Sequence, residues 1–227
     1  MIELAVAAFL FLAGHFGVSS TKLRPLLRTR LGGRLYDALY SLTALTLLAW
    51  TVSAYARAPF VALWEPGQWT RGVPILVMPF ALLALVGGVS QPNATAVAAP
   101  AAARAATPRG VFALTRHPMM WGIALWALAH LLANGDAASM ILFGALAFLA
   151  LAGTKAIEAR KRREWSGNEW TRFAAQSSNL PFAAVAAGRV GFHVADLGWW
   201  RVGLALGLYA LLIGAHPYLI GVAVMPG

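Results

Sequence analysis

The sequence contains no cysteine. That absence excludes disulfides, thiolate metal sites, iron–sulfur clusters and a cysteine nucleophile. Acids are scarce: eight Asp and Glu stand against eighteen Lys and Arg, for a formal net charge of +10. Charge of either sign makes up only 11% of the chain, where soluble domains carry about 25%. There is no internal repeat, no Gly-rich phosphate loop and no Ser-His-Asp set. What is abundant is apolar: 59% of 227 residues, against about 45–50% in soluble domains. One core cannot hide that much apolar surface, so a lipid bilayer must solvate part of it.

A membrane-crossing helix needs about 20 mostly apolar residues. Runs of this kind lie near 2–19, 36–56, 73–90, 118–134, 137–156 and 199–224. They predict an all-α, polytopic transmembrane bundle of about six spans, forming a single domain over residues 1–227. The first run opens Met1-Ile2-Glu3 and has its basic cluster after it, from Lys22, which argues for a retained span rather than a removable signal. Basic residues collect in alternate loops. The 20–35 loop holds Lys22, Arg24, Arg28, Arg30 and Arg34, and the 91–117 loop holds Arg104, Arg109 and Arg116. The 157–198 segment adds Arg160, Lys161, Arg162, Arg163, Arg172 and Arg189. By contrast, residues 57–72 balance Arg57 and Arg71 with Glu65, and the 135–136 turn carries only Asp136. Positive loops face the cytoplasm. The expected topology is therefore a bacterial inner-membrane protein with both termini periplasmic, and the basic charge reads as topology, not nucleic-acid binding.

Two stretches do not read as spans. Residues 93–108 are rich in Ala and Pro, the composition of a flexible surface loop. Residues 157–198 predict a cytoplasmic or interfacial helix from Glu158 to Arg172, then a break at Gln176-Ser177-Ser178-Asn179 and Pro181. Within it Glu158 stands four residues before Arg162, an intrahelical pair. Trp165, Trp170, Trp199 and Trp200 are expected at headgroup level, where Trp is enriched.

Ionisable residues inside a membrane are costly and mark candidate sites. His15, His130 and His216 fall in the first, fourth and last runs, His117 at the mouth of the fourth, and His193 in the basic segment. Histidines on several helices without cysteine fit haem b, whose iron takes imidazole ligands from facing helices. Gly14 and Gly17 flank His15 and leave room for a flat macrocycle. Each histidine serves equally well as a hydrogen-bonded packing residue. By helical rise, His15 sits roughly 7 Å to the cytoplasmic side of its span centre and His130 roughly 5 Å to the outer side. His216 also lies in an outer half, so His15 with His130 and His130 with His216 both stand as axial pairs. Pro118 suits the first turn of a helix, leaving Arg116 and His117 to anchor at the headgroups or to bind a carboxylate or phosphate.

The stretch Thr115-Arg116-His117-Pro118-Met119-Met120-Trp121-Gly122, continuing through Leu125-Trp126-Ala127-Leu128-Ala129-His130-Leu131-Leu132-Ala133-Asn134-Gly135, resembles the NnrU family of bacterial membrane proteins. Gly14-His15-Phe16, Leu23-Arg24, Asn168-Glu169-Trp170, Ser178-Asn179-Leu180-Pro181-Phe182 and His216-Pro217-Tyr218-Leu219-Ile220-Gly221 extend the resemblance over essentially the whole chain. It implies a role in denitrification, associated with nitrite and nitric oxide reductase function. The family's relative, 15-cis-zeta-carotene isomerase, is a haem b membrane enzyme whose axial histidines match His15 and His130 by motif position, and His117 matches a further histidine of that motif. The resemblance thus implies haem b on His15 and His130, with Arg116 and His117 holding propionates or gating the site, and an apolar or gaseous small-molecule ligand. A more distant similarity, to isoprenylcysteine carboxyl methyltransferases and phospholipid methyltransferases, rests on Arg116-His117-Pro118. It implies S-adenosylmethionine as an alternative cofactor, with Glu164 or Glu169 as the supporting carboxylate. A third expectation is a non-enzymatic assembly partner of nitric oxide reductase.

Overall fold

The computed structural model describes residues 1–96 and 104–224, so the core of the expected Ala/Pro loop lies outside the described residues. Within them the chain is helical, and β-pairing is confined to an isolated bridge between Ala62 and Asp136. Helix α1 (Ile2–Ala13) runs into a π-helical turn (Gly14–Val18), and α2 (Leu23–Leu31) follows at 79° to it. Next come α3 (Gly33–Ala56), α4 (Gln68–Ser90), the short α5 (Val111–Leu114) and α6 (Pro118–Asn134). The chain closes with α7 (Ala137–Glu164), α8 (Gly167–Ala175), the short α9 (Ala183–Ala186) and α10 (Trp199–Ile220).

Helices α3, α4, α7 and α10 are each long and apolar enough to cross a membrane, and the bent α1–α2 pair makes a fifth if it counts as one span. Their outward faces are apolar: Leu42, Leu45, Leu76, Phe80, Leu211 and Leu219 are all more than 60% exposed. This is how lipid-facing helices present themselves, and the chain is a multi-pass membrane protein. The helices form a row in which α10 packs on α4, α4 on α6, α6 on α7, α7 on α1, and α1 on α3. Glycine permits the closest approach. A Cβ on Gly122 of α6 would meet the Ala81 carbonyl of α4 at 2.8 Å, and one on Gly88 would meet the Met119 amide at 2.9 Å. The centre of the row is a cluster of Phe11, Ala127, Leu142, Phe143, Leu146 and Ala147.

Several boundaries differ from the sequence reading. The 20–35 loop contains α2, in which Leu23, Leu26, Leu27 and Leu31 alternate with Arg24, Arg28 and Arg30 at helical spacing, an interfacial pattern. Gly32, at φ 80°, breaks it from α3 in a conformation L side chains rarely adopt. The 137–156 run does not stop at 156. Ala156 to Glu164 are good helix formers, so α7 continues to Glu164 and the expected separate helix over Glu158–Arg172 is divided. Trp165 turns extended, and Ser166 starts α8 with a capping box completed by Glu169. Trp165 and Trp170 are only 7% and 8% exposed, whereas Trp199 and Trp200 are exposed. The buried pair clusters with Phe173 because α8 folds back beneath the basic end of α7. Guanidinium groups of Arg104, Arg116 and Arg162 then lie 5.4 to 5.7 Å from these tryptophan rings.

Candidate functional site

His15 occupies the π-helical turn that ends α1. Such turns shift the register of a helix locally and recur at functional sites. The His15 Nδ1 lies 2.8 Å from the Phe11 carbonyl oxygen. A carbonyl only accepts, so Nδ1 carries the proton and Nε2 keeps its lone pair. The ring stands edge-on to Phe11 and to Tyr40, and it lines a crevice of about 210 Å³ together with Gly14, Tyr36, Tyr40 and Leu47. A Cβ on Gly17 would meet open space. The crevice lies between the α1 turn, α2 and α3.

His130 repeats the same device on α6: its Nδ1 is 2.8 Å from the Trp126 carbonyl, which again leaves Nε2 free. Its ring packs 5.4 Å from Phe143 and 5.8 Å from Trp126, within the central apolar cluster. His130 is not among the residues lining the His15 crevice. Phe11, one turn before His15, packs in the cluster that holds Phe143, so each histidine contacts a member of the same apolar cluster. His216, near the end of α10, has its Nδ1 2.7 Å from the Val222 carbonyl. His193 is exposed and precedes the turn at Val194–Leu197. Among the described residues no three His, Cys, Asp or Glu side chains come together as a site for a bare metal ion.

The motif residues at the start of α6 turn inward. Pro118 takes the first helical position and His117 the cap, as the sequence predicts. Arg116 and His117 are 7% and 3% exposed, and both face Glu158 of α7, at 3.4 and 3.3 Å. Arg116 also donates to the Ser177 carbonyl at 2.8 Å and lies over the Trp170 and Phe173 rings. Thr115 and the Trp121 indole both donate to the Asn179 carbonyl, at 2.6 and 2.8 Å, and the Asn179 amide donates to Thr154 at 2.8 Å. The Gln-Ser-Ser-Asn break is thus a strap tying α6 to α7. Burial pushes the His117 imidazole below its ordinary 6.5, while the Glu158 contact partly opposes the shift, so the ring is neutral near pH 7. Burial also lowers the Arg116 guanidinium, with Glu158 again opposing.

Glu158 is the residue that sequence reasoning misplaced. Its spacing pairs it with Arg162, yet it forms an ion pair with Arg116 and a hydrogen bond with His117, while Arg162 leaves for the face of Trp170. The carboxylate beside Arg116 and His117 is Glu158, whereas Glu164 and Glu169 face other partners. Glu164 contacts Arg24, Arg160 and Lys161, and Glu169 caps α8 and meets Arg104 at 3.7 Å. A signal was available: Glu158 is the first acid after Asp136, at the end of a long apolar run. Tyr36, in the crevice, carried no sequence signal.

No curated protein and no solved structure matches the chain. The family model described as NnrU protein matches residues 3–224, which takes in the π-helical turn, the inward-facing Arg116-His117-Pro118 start of α6 and the strap that holds it. The chain belongs to the NnrU family.

Proposed function

We propose that this chain is a haem b-binding protein of the bacterial inner membrane, with His15 and His130 as the axial imidazoles. One observation carries the reading: each ring has its Nδ1–H tied to the carbonyl four residues earlier, so each offers Nε2 as a free, oriented donor. Donors that stand singly suit a metal bringing its own four equatorial nitrogens, as haem does, better than a bare ion. The resemblance of His15 and His130 to the axial histidines of the carotene isomerase supports the same pair. Bound haem would supply a centre for single-electron transfer or, with one imidazole released, for binding a nitrogen oxide or an apolar alkene. That is consistent with the denitrification role the family's name implies.

The geometry favours haem over S-adenosylmethionine, because Arg116 and His117 are committed to Glu158 and Ser177 instead of facing an open cavity. The topology belongs to the same proposal. Helix α6, at seventeen residues, is about 25 Å long and spans beside its longer neighbours. With α1, α3, α4, α7 and α10 it makes six passes, basic loops inside and both termini in the periplasm.

The test is an absorption spectrum of the detergent-purified protein, oxidised and dithionite-reduced, with a pyridine haemochrome assay. Near-stoichiometric haem b is expected, with its Soret and reduced bands shifted or lost in His15→Ala and His130→Ala and retained in His216→Ala. A protein that stays colourless after haem addition removes the reading. Loss in His216→Ala with retention in His15→Ala would move the axial pair to His130 and His216.

A further inference from the structure

The crevice at His15 is walled by apolar side chains, and Arg24, Arg28 and Arg160 stand near the Tyr36 that lines it. Tyr36 lines it, stacked 5.9 Å from Tyr40, and is 4% exposed. Its hydroxyl finds no hydrogen-bond partner among the described residues. A buried polar group left unpaired calls for an explanation, and a ligand atom is one. The charges beside it are also unbalanced. Glu164 is shared by Arg24 at 3.2 Å, Lys161 at 3.3 Å and Arg160 at 3.7 Å, so three cations meet one carboxylate. Lys161 is further engaged by the Ala96 carbonyl. The nearby Asp37 is engaged by Arg28 at 3.3 Å.

Arg160 stands out in this group. Its Nε makes no hydrogen bond among the described residues, and Arg24, Tyr36 and Tyr40 all contribute to its electrostatic surroundings. Ordinary topogenic arginines sit in water. Here the Arg24, Arg160 and Lys161 side chains are only 12%, 16% and 4% exposed, so their charge is partly desolvated with too little counter-charge to offset it. A desolvated excess of cations beside an orphaned hydroxyl suits a carboxylate or phosphate, which accepts from both.

We propose that Arg24, Arg160 and the Tyr36 hydroxyl form an anion site at the rim of the His15 crevice, holding the carboxylate or phosphate head of a ligand whose apolar body lies against Leu27, Leu39 and Leu47. Where that ligand is haem, the head is a propionate, and this assignment rests on the proposed function. It moves the propionate contact away from Arg116 and His117, which face Glu158 inside the protein. An anionic lipid offers the same chemistry without haem.

The experiment uses the full chain in a zwitterionic detergent with two pairs of probes. Haem b is compared with its dimethyl ester by absorbance titration, and phosphatidylglycerol with phosphatidylcholine by native mass spectrometry. The wild type is expected to prefer the free acid of haem over the ester by on the order of tenfold. That preference should collapse in Arg160→Gln, shrink in Tyr36→Phe and partly return in Arg160→Lys, with ester binding unchanged. Tyr36→Phe removes one unpaired oxygen and keeps the fold, so its result stands even if the arginine variants unfold. If neither haem probe binds, the haem reading fails on its own. The anion site then stands if the wild type retains phosphatidylglycerol over phosphatidylcholine and Tyr36→Phe and Arg160→Gln do not. A preference for the anionic probe that is absent in the wild type, or that persists undiminished in both variants, overturns the site.

Discussion

Replacing Glu158 with Ala removes the carboxylate that faces two inward-turned motif residues, and its cost follows from the geometry. Glu158 is 8% exposed and stands 3.4 Å from Arg116 and 3.3 Å from His117. Deleting one partner of a buried ion pair costs about 3–5 kcal/mol, because the other charge stays buried without compensation. Arg116 retains the Ser177 carbonyl at 2.8 Å and the aromatic faces of Trp170 and Phe173, and His117 is neutral. These place the loss at the lower end, about 3 kcal/mol. For a chain of this size that corresponds to a melting temperature lower by about 6–12 °C. Glu158→Gln keeps the shape and one acceptor oxygen but loses the charge, so about 1–2 kcal/mol is expected. The double variant Arg116→Met with Glu158→Leu removes both charges and should recover most of the loss, since an apolar pair of similar volume is often neutral. The assay is thermal unfolding of the full chain in one detergent, followed by helical circular dichroism. A Glu158→Ala protein that melts within about 2 °C of the wild type would refute the reasoning, showing that water or another group already serves Arg116.

The burial of His117 predicts a pH dependence. Its folded-state pKa lies below the ordinary 6.5, so the unfolded chain takes up the proton first. Stability from this group is complete above about pH 6.5 and is lost as pH falls through that value toward the folded pKa. Melting curves of the wild type and His117→Gln should therefore converge below pH 6; parallel curves would place His117 in water. The row of helices predicts a contrast between two glycines. Gly122→Ala forces a Cβ to within 2.8 Å of the Ala81 carbonyl and should cost about 1–3 kcal/mol by separating α4 from α6. Gly144→Ala meets open space and should leave stability unchanged or raise it by up to about 1 kcal/mol, so equal melting points for the two would contradict the α4–α6 contact.

Much was legible in the residues themselves. A bilayer imposes a long apolar run on every crossing helix, so α3, α4, α6 and the first part of α7 could be bounded from composition. Pro118 and the Gly135 stop bracket α6 by backbone sterics alone. The histidines stood out because an ionisable group inside an apolar run is rare for energetic reasons. Direction was not legible. Whether Arg116 reaches headgroups or Glu158, and whether Glu158 serves Arg162 or His117, depends on which faces α6, α7 and α8 turn toward one another. Local spacing carries no term for that. The π-helical turn at His15 and the bend into α2 arise where the end of α1 meets α3, and they decide that His15 opens onto a crevice lined by Tyr36. Sequence fixes what a helix can bury, because burial is a property of each side chain. Only the packed structure decides what meets what, because a contact belongs to two surfaces brought together from far along the chain.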